Sequence, residues 1–183
     1  MRVITGSARG CPLKAPKGMD TRPTLDQVKE GLFSAIQFEI EGRRALDLFA
    51  GSGQLGIEAL SRGAASCVFV DAGREAVQVV RENLERTGLS ERARVFRSDY
   101  LSFLNSCREV FDLIFLDPPY ADVFLENSIK RISEIDILSE SGIILCERPS
   151  DKTLPPPPTG LKHWKDYRYG RAAITIYRKD TGL

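Results

Sequence analysis

The sequence predicts an α/β fold: a doubly wound, mostly parallel sheet with a small hairpin extension before it and an antiparallel hairpin closing it. Three observations carry this. Apolar runs at 45–49, 67–70 and 110–116 suit strands buried on both faces of a sheet. Segments with apolar residues at helical spacing separate them, so strand and helix alternate as crossover connections require. Past residue 160 the pattern changes, because Tyr167–Tyr169, Gly170 and Ala172–Tyr177 read as two strands joined by a tight turn.

In order, Met1–Pro16 alternates short apolar stretches with Gly6, Gly10 and basic residues, a hairpin leading into a loop through Pro23. Thr24 and Gln27 match a capping box, and Leu25, Val28, Leu32 and Ile36 supply the apolar face of a helix ending near Phe38. Ala45–Phe49 is the first core strand. Gly51, Ser52 and Gly53 turn the chain into a helix carrying Leu55, Ile57, Ala59 and Leu60. Cys67–Val70 is the second strand, with Asp71 at its end, and the helix Arg74–Thr87 follows, stopped by Gly88. Ala93, Val95 and Phe96 make a short third strand before Asp99 and Tyr100. Val110–Leu116 is the fourth, Phe124–Ile132 a helix and Gly142–Cys146 the fifth. Pro155–Pro158 is an extended connector, since proline continues neither helix nor central strand. With 183 residues and 42% hydrophobic content, one core is expected. The expectation is a single domain over 1–183, with a basic extension at 1–23 and the core at 24–183.

Gly51-x-Gly53-x-x-Gly56 satisfies the dinucleotide fingerprint, and Asp71 stands where an acid binds ribose hydroxyls. The glycines permit close approach of a ligand, and the amides opening the helix can receive a nucleotide-like group. A nucleotide-dependent oxidoreductase is one reading. Asp47 favours another, because a carboxylate inside a strand needs a partner and a ligand bearing an ammonium group supplies one.

Asp117-Pro118-Pro119-Tyr120 ends the fourth strand, where open α/β sheets bind ligands. An exocyclic amine on a base is a poor nucleophile because its lone pair is delocalised into the ring. The carboxylate of Asp117 and the carbonyl of Pro118 can accept its two N–H bonds and aim the lone pair, while Tyr120 stacks on the base. The tetrad identifies an exocyclic amine without distinguishing guanine from adenine.

Together these motifs resemble those of class I S-adenosylmethionine methyltransferases, which are Rossmann-like. The wider pattern resembles the bacterial RsmD family of 16S ribosomal RNA guanine-N2 methyltransferases. It comprises Met1-Arg-Val-Ile-Thr-Gly, Thr21-Arg-Pro-Thr, Asp47 to Gly56 and Asp117 to Tyr120, and the similarity covers nearly the whole chain. The resemblance implies S-adenosyl-L-methionine as cofactor, with Asp47, Phe49, Gly51, Gly53, Asp71, Asp99 and Tyr100 around it. It also implies Asp117, Pro118 and Tyr120 as the catalytic set. The partner implied is ribosomal RNA, within a small subunit or an assembly intermediate, with no metal. Asp99 either accepts from the adenine amino group or caps the helix Tyr100–Ser106, or does both. Arg22 is either an RNA or cofactor-side contact or a solvated loop residue. A noncatalytic RNA-binding protein is the remaining alternative.

The net charge of +1 conceals a division: residues 1–22 carry +4, residues 23–147 carry −8 and residues 148–179 carry +6. Basic ends around an acidic core fit a polyanion gripped by the ends. Tyr167, Arg168 and Arg171 interleave aromatic and basic side chains there, as either RNA contacts or strand packing. The four cysteines, Cys11, Cys67, Cys107 and Cys146, show no C-x-x-C spacing, so free thiols are expected. With no run of eighteen apolar residues and no signal-peptide core, a soluble cytoplasmic protein with no membrane partner is expected.

Overall fold

The computed structural model describes residues 1–17, 23–119 and 121–182. Five strands run parallel: β1 (Arg44–Asp47), β2 (Ser66–Asp71), β3 (Ala93–Arg97), β4 (Phe111–Leu116) and β5 (Leu138–Pro149). Two more, β6 (Leu161–Tyr169) and β7 (Ala172–Lys179), are antiparallel, and the order across the sheet is β3-β2-β1-β4-β5-β7-β6. The chain starts at the centre and winds outward twice, so the crevice of such sheets falls at the carboxyl ends of β1 and β4.

Among the described residues, five α-helices cover the two faces. On one, α1 (Pro23–Ala35), α2 (Gln54–Ser61) and α3 (Arg74–Thr87) pack Leu32, Phe33, Ile57, Leu60 and Val80 against Phe69, Phe115 and Leu145. On the other, α4 (Tyr100–Ser106) and α5 (Ala121–Ile135) pack Leu104, Leu125, Ile129 and Ile132 against Val70, Leu116, Ile144 and Tyr177. Both faces being covered, the central strands are apolar on both sides, which is why their sequences read as runs.

Several element boundaries differ from the sequence reading. Helix α1 begins at Pro23, whose fixed φ suits a first helical position, so Thr24 lies inside the first turn rather than at the cap. It also stops at Ala35, leaving Phe38 93% exposed beyond its end. Strand β5 is twelve residues long, extending well past Cys146, because β7 pairs along it as far as Pro149.

The amino-terminal segment does form a small hairpin, with Val3 donating to the Cys11 carbonyl (3.0 Å) and Gly10 to that of Val3 (2.9 Å). What holds it to the core is a buried charge cluster. Glu58 of α2, fully buried, accepts from the amides of Ile4 (2.8 Å) and Thr5 (3.0 Å) and from Nε of Arg62 (2.8 Å). Lys29 of α1 donates to the Arg2 carbonyl (2.6 Å) and lies 3.6 Å from the same carboxylate. Burial lowers the Lys29 pKa, and Glu58 opposes that shift. Downstream, buried Asn83 of α3 accepts from the Lys14 amide (2.8 Å) and donates to the carbonyls of Lys14 (3.0 Å) and Ser52 (2.9 Å). Lys17 donates its amide to Glu75 (3.0 Å). The segment 14–17 is therefore held along α3.

Candidate active site

A cavity of about 490 Å³ opens at the carboxyl ends of β1, β2 and β4. Leu48, Phe49 and Gly51 contribute from the turn after β1, Asp71 and Ala72 from the end of β2, and Asp99 and Tyr100 from the start of α4. Asp117, Pro118 and Pro119 close it from β4. The size is that of an ordinary cofactor site.

The turn after β1 differs from an anion site. Gly51, at φ 55°, donates its amide to Asp71 (2.8 Å), and Gly53 donates to the Ala50 carbonyl (2.6 Å). Gly56 donates to Asp47 (3.0 Å). Asp47, 1% exposed, thus acts as a remote cap for α2, satisfying one of the helix's otherwise unpaired amides. These three amides are engaged by protein acceptors, two of them carboxylates, and a pyrophosphate brought to this turn would meet negative charge. Of the amides opening α2 that the sequence reading offers to a nucleotide-like group, that of Gly56 is taken by Asp47, so this helix start is less open to a phosphate than expected.

The glycines also divide their work. A Cβ on Gly56 would lie 2.3 Å from the Phe69 ring and 2.7 Å from the Cys67 sulfur, so Gly56 lets α2 pack close on β2. Gly53 adopts φ 78° as the N-cap of α2, and a Cβ there would face Ile57 and Val80 at 3.2–3.3 Å. Neither Gly53 nor Asp47 lines the cavity, whereas Phe49, Gly51, Asp71, Asp99 and Tyr100 all do.

Asp71 takes the Gly51 amide on one oxygen and the Gly73 amide (2.8 Å) on the other, which orients the carboxylate at the cavity wall with acceptor capacity left over. Asp99 accepts from the Ser102 amide (2.9 Å) as the cap of α4, and hydrogen bonding from Ser102 holds its pKa below the usual range. Each carboxylate oxygen carries two lone pairs, so acceptor capacity toward the cavity remains. Phe49, Tyr100 and Phe124 pack tilted and edge-to-face on one another with centroids 5.3–6.2 Å apart, giving the cavity an aromatic wall.

The electrostatics are one-sided. Burial pushes the Asp47 pKa up to about 7, and the charges bearing on it, Asp117 and Asp71, are both acidic and push the same way. Asp117 is also raised by burial, and Glu147 of β5 is raised by burial and by Asp117 beside it. Glu147 is not among the sequence-predicted site residues. Such acid crowding suits a ligand bearing positive charge.

Arg22 and Tyr120 lie outside the described residues. Tyr167, Arg168 and Arg171 reach the same end of the sheet as Asp117, because β6 ends where β4 and β5 end. They stand three strands from β4, about 14 Å at ordinary strand spacing. Tyr167 packs partly buried against the α1-side core with Lys165 over its ring, while Arg168 and Arg171 are exposed. The charge count overstated residues 148–179 as a free basic surface. Arg148, Arg178 and Lys179 are paired with Asp166, Glu39 and Asp136.

A family model described as Conserved hypothetical protein 95 matches residues 1–178. Ribosomal RNA small subunit methyltransferase D of Escherichia coli (strain K12) is 33% identical over 180 residues, covering 98% of this chain and 90% of the relative. The chain belongs to this family. It is the RsmD family that the motifs resemble. YlbH of Bacillus subtilis (strain 168) is 44% identical over 182 residues, covering 98% of this chain and 99% of that one. The solved structure of yhhF from Escherichia coli superposes with a TM-score of 0.89 at 32% identity and 98% coverage of both chains. The Rossmann-like architecture is thus shared with this relative at full length. Among the described residues, no helix is long and apolar enough to cross a membrane.

Glu147 beside Asp117 escaped the sequence reading, as did cavity-lining residues such as Phe124 and Pro16. Glu147 had a legible signal, an acid directly after the apolar run 142–146, matching Asp117 after 111–116. Phe124 and Pro16 had none, since one is an apolar helix residue and the other a loop proline.

Proposed function

We propose that the protein is an S-adenosylmethionine-dependent methyltransferase that methylates the exocyclic N2 of a guanine in small-subunit ribosomal RNA, in the cytoplasm and without a metal. The observation that carries the reading is Asp117-Pro118 at the mouth of an acid-lined cavity at the carboxyl end of β4. The names of the relatives point to the same activity and RNA.

The residues present fit the cofactor. Asp71 offers acceptors for ribose hydroxyls, Phe49, Tyr100 and Phe124 offer flat apolar surface for adenine, and Asp99 has an oxygen for its amino group. The raised carboxyls of Asp47 and Asp117 are relieved by the positive charges of an ammonium and a sulfonium. Asp47 acts there through the turn it braces, by way of Gly56 and α2. When bound, S-adenosylmethionine supplies an electrophilic methyl group.

This chain's own residues arrange the nucleophile. The Asp117 carboxylate and the Pro118 carbonyl accept the two amine N–H bonds, which pyramidalises the nitrogen and aims its lone pair. As the nitrogen gains the methyl it loses a proton, and Asp117, whose basicity burial has raised, is placed to receive it. Tyr120 follows in sequence and supplies an aromatic face for the extruded base, a contact of about 1–3 kcal/mol. Arg22, Tyr167, Arg168 and Arg171 contribute stacking and phosphate contacts, and the basic extension at 1–23 joins the core at 24–183 as one domain.

Labelled S-adenosylmethionine incubated with the protein and unmethylated small-subunit RNA, free or in particles, followed by digestion to nucleosides, tests this directly. N2-methylguanosine is the expected product. Label in N6-methyladenosine, or in no nucleoside, overturns the reading.

A further inference from the structure

The Asp-Pro-Pro-Tyr tetrad holds an amine without naming the base, so whatever selects guanine lies elsewhere in the site. Strands β4 and β5 are parallel with Leu116 opposite Cys146, so the next residues, Asp117 and Glu147, stand side by side on adjacent strands. Leu116 and Cys146 both face the α5-side core, and alternation along a strand turns Asp117 and Glu147 together to the α1 face. The register carries the same row on through Ile174 to Tyr167. Their backbones are about 5 Å apart at ordinary strand spacing, within reach of adjacent atoms on one base.

Neither acid has a hydrogen-bond or ion-pair partner among the described residues. The acids that end β1 and β2 and that cap α4 do: Asp47 takes the Gly56 amide, Asp71 the amides of Gly51 and Gly73, and Asp99 that of Ser102. A largely desolvated carboxyl with no partner is costly, and substrate donors would relieve that cost. Asp117 pushes the Glu147 pKa up, as expected of two carboxyls facing one small space.

We propose that Glu147 reads the base, accepting the N1–H of guanine beside the amine that Asp117 holds, and thereby makes the site choose guanine over adenine. This rests on the amine-methylating reading of Asp117. Along guanine's Watson–Crick edge the amine is followed by the N1–H donor and then the O6 acceptor. Along adenine's, the amine is followed by the N1 acceptor and then a C–H. An ionised Glu147 accepts from guanine N1–H and repels the lone pair of adenine N1. A protonated Glu147 accepts from N1–H and donates to O6 of guanine, whereas adenine offers it a single bond. Guanine is favoured in both protonation states. The extra methylene of glutamate over aspartate carries the carboxyl one step further from the sheet, as reading the next atom along the edge requires.

The test uses 16S RNA whose modified guanine has first been mapped with the parent enzyme. That position is replaced by 2-aminopurine through splinted ligation, which keeps the amine while presenting an acceptor at N1. The parent is expected to prefer guanine by about 10- to 100-fold in kcat/KM, the range for a hydrogen-bonded base contact. E147A should lower kcat/KM on guanine by that factor and leave 2-aminopurine within about twofold, so that the preference collapses toward one. E147Q, which keeps an acceptor oxygen and a donor, should retain most of the preference. E147D, with its carboxyl drawn back, should lose it, which keeps the test decisive if E147A does not fold. Equal rates of the parent on both RNAs, or an undiminished preference in folded E147A or E147D, overturn the proposal. Failure of the underlying reading looks different, because the parent then makes no N2-methylguanosine in the mapping step.

Discussion

Asp47 ends β1 fully buried, with one hydrogen-bond donor and two acidic neighbours, and this has a measurable consequence for stability. Its carboxyl moves from the ordinary 3.8 to about 7 in the folded protein. A raised carboxyl pKa means that the folded state binds a proton the unfolded state has released. The penalty is absent below pH 3.8, grows as pH rises and is complete above pH 7, where it amounts to about 4 kcal/mol at 1.36 kcal/mol per tenfold. Asp47→Asn removes the ionisation and keeps a carbonyl oxygen for the Gly56 amide. It also buries an NH₂ group without an assigned acceptor, at about 1–3 kcal/mol and independent of pH. The two effects separate by their pH dependence. Urea unfolding between pH 4.5 and 8 should show the variant gaining about 3 kcal/mol on the parent across that range, because the parent alone carries the growing penalty. Parallel stability curves for the two proteins would refute the idea that Asp47 is held protonated by burial near its working pH. The ligand arm runs the other way: S-adenosylmethionine should stabilise the parent more at pH 8 than at pH 5.5, and Asp47→Asn should flatten that difference.

Asp117→Ala should cut single-turnover methyl transfer by roughly a hundredfold or more with cofactor affinity near parental, as for loss of a preorganised polar contact. Because burial raises the Asp117 pKa, the parent's rate should fall on acidification at a higher pH than an ordinary carboxylate would give, and rate profiles of Asp117→Asn should lack that limb. Gly53→Ala forces a side chain into φ 78° with Ile57 and Val80 at 3.2–3.3 Å, so thermal unfolding should show a loss of about 1–2 kcal/mol while titration shows cofactor affinity unchanged. Arg168→Gln with Arg171→Gln should weaken RNA binding and lower the slope of log affinity against log salt by about 1.4, at 0.7 per single-stranded phosphate contact. An unchanged slope would show both arginines to be merely solvated.

The order of strands and helices, the glycine turn and the Asp117 tetrad were legible in the chain because their signals are local. A strand buried on both faces must be apolar throughout, a helix facing one core repeats near 3.6 residues, and a turn at positive φ selects glycine. The acidic residues at the strand ends were legible as types and positions. Their partners were not, because a hydrogen bond from Gly56 to Asp47 or from Gly51 to Asp71 joins residues 9 and 20 positions apart, and only the folded turn decides which acceptor each amide meets. The same limit hid the Lys29–Glu58 cluster, whose charges look solvated in sequence and are buried only because the amino-terminal hairpin closes over α2. It hid Glu147 as well. Its kinship with Asp117 comes from the register of β4 against β5, and register is set by the packing of two whole strands between two layers of helices. Charge counting failed at the carboxyl-terminal end for a related reason. Arg148, Arg178 and Lys179 are basic in any count, yet the sheet sets each beside a carboxylate, and Coulomb attraction at 2.6–3.2 Å makes them part of the scaffold.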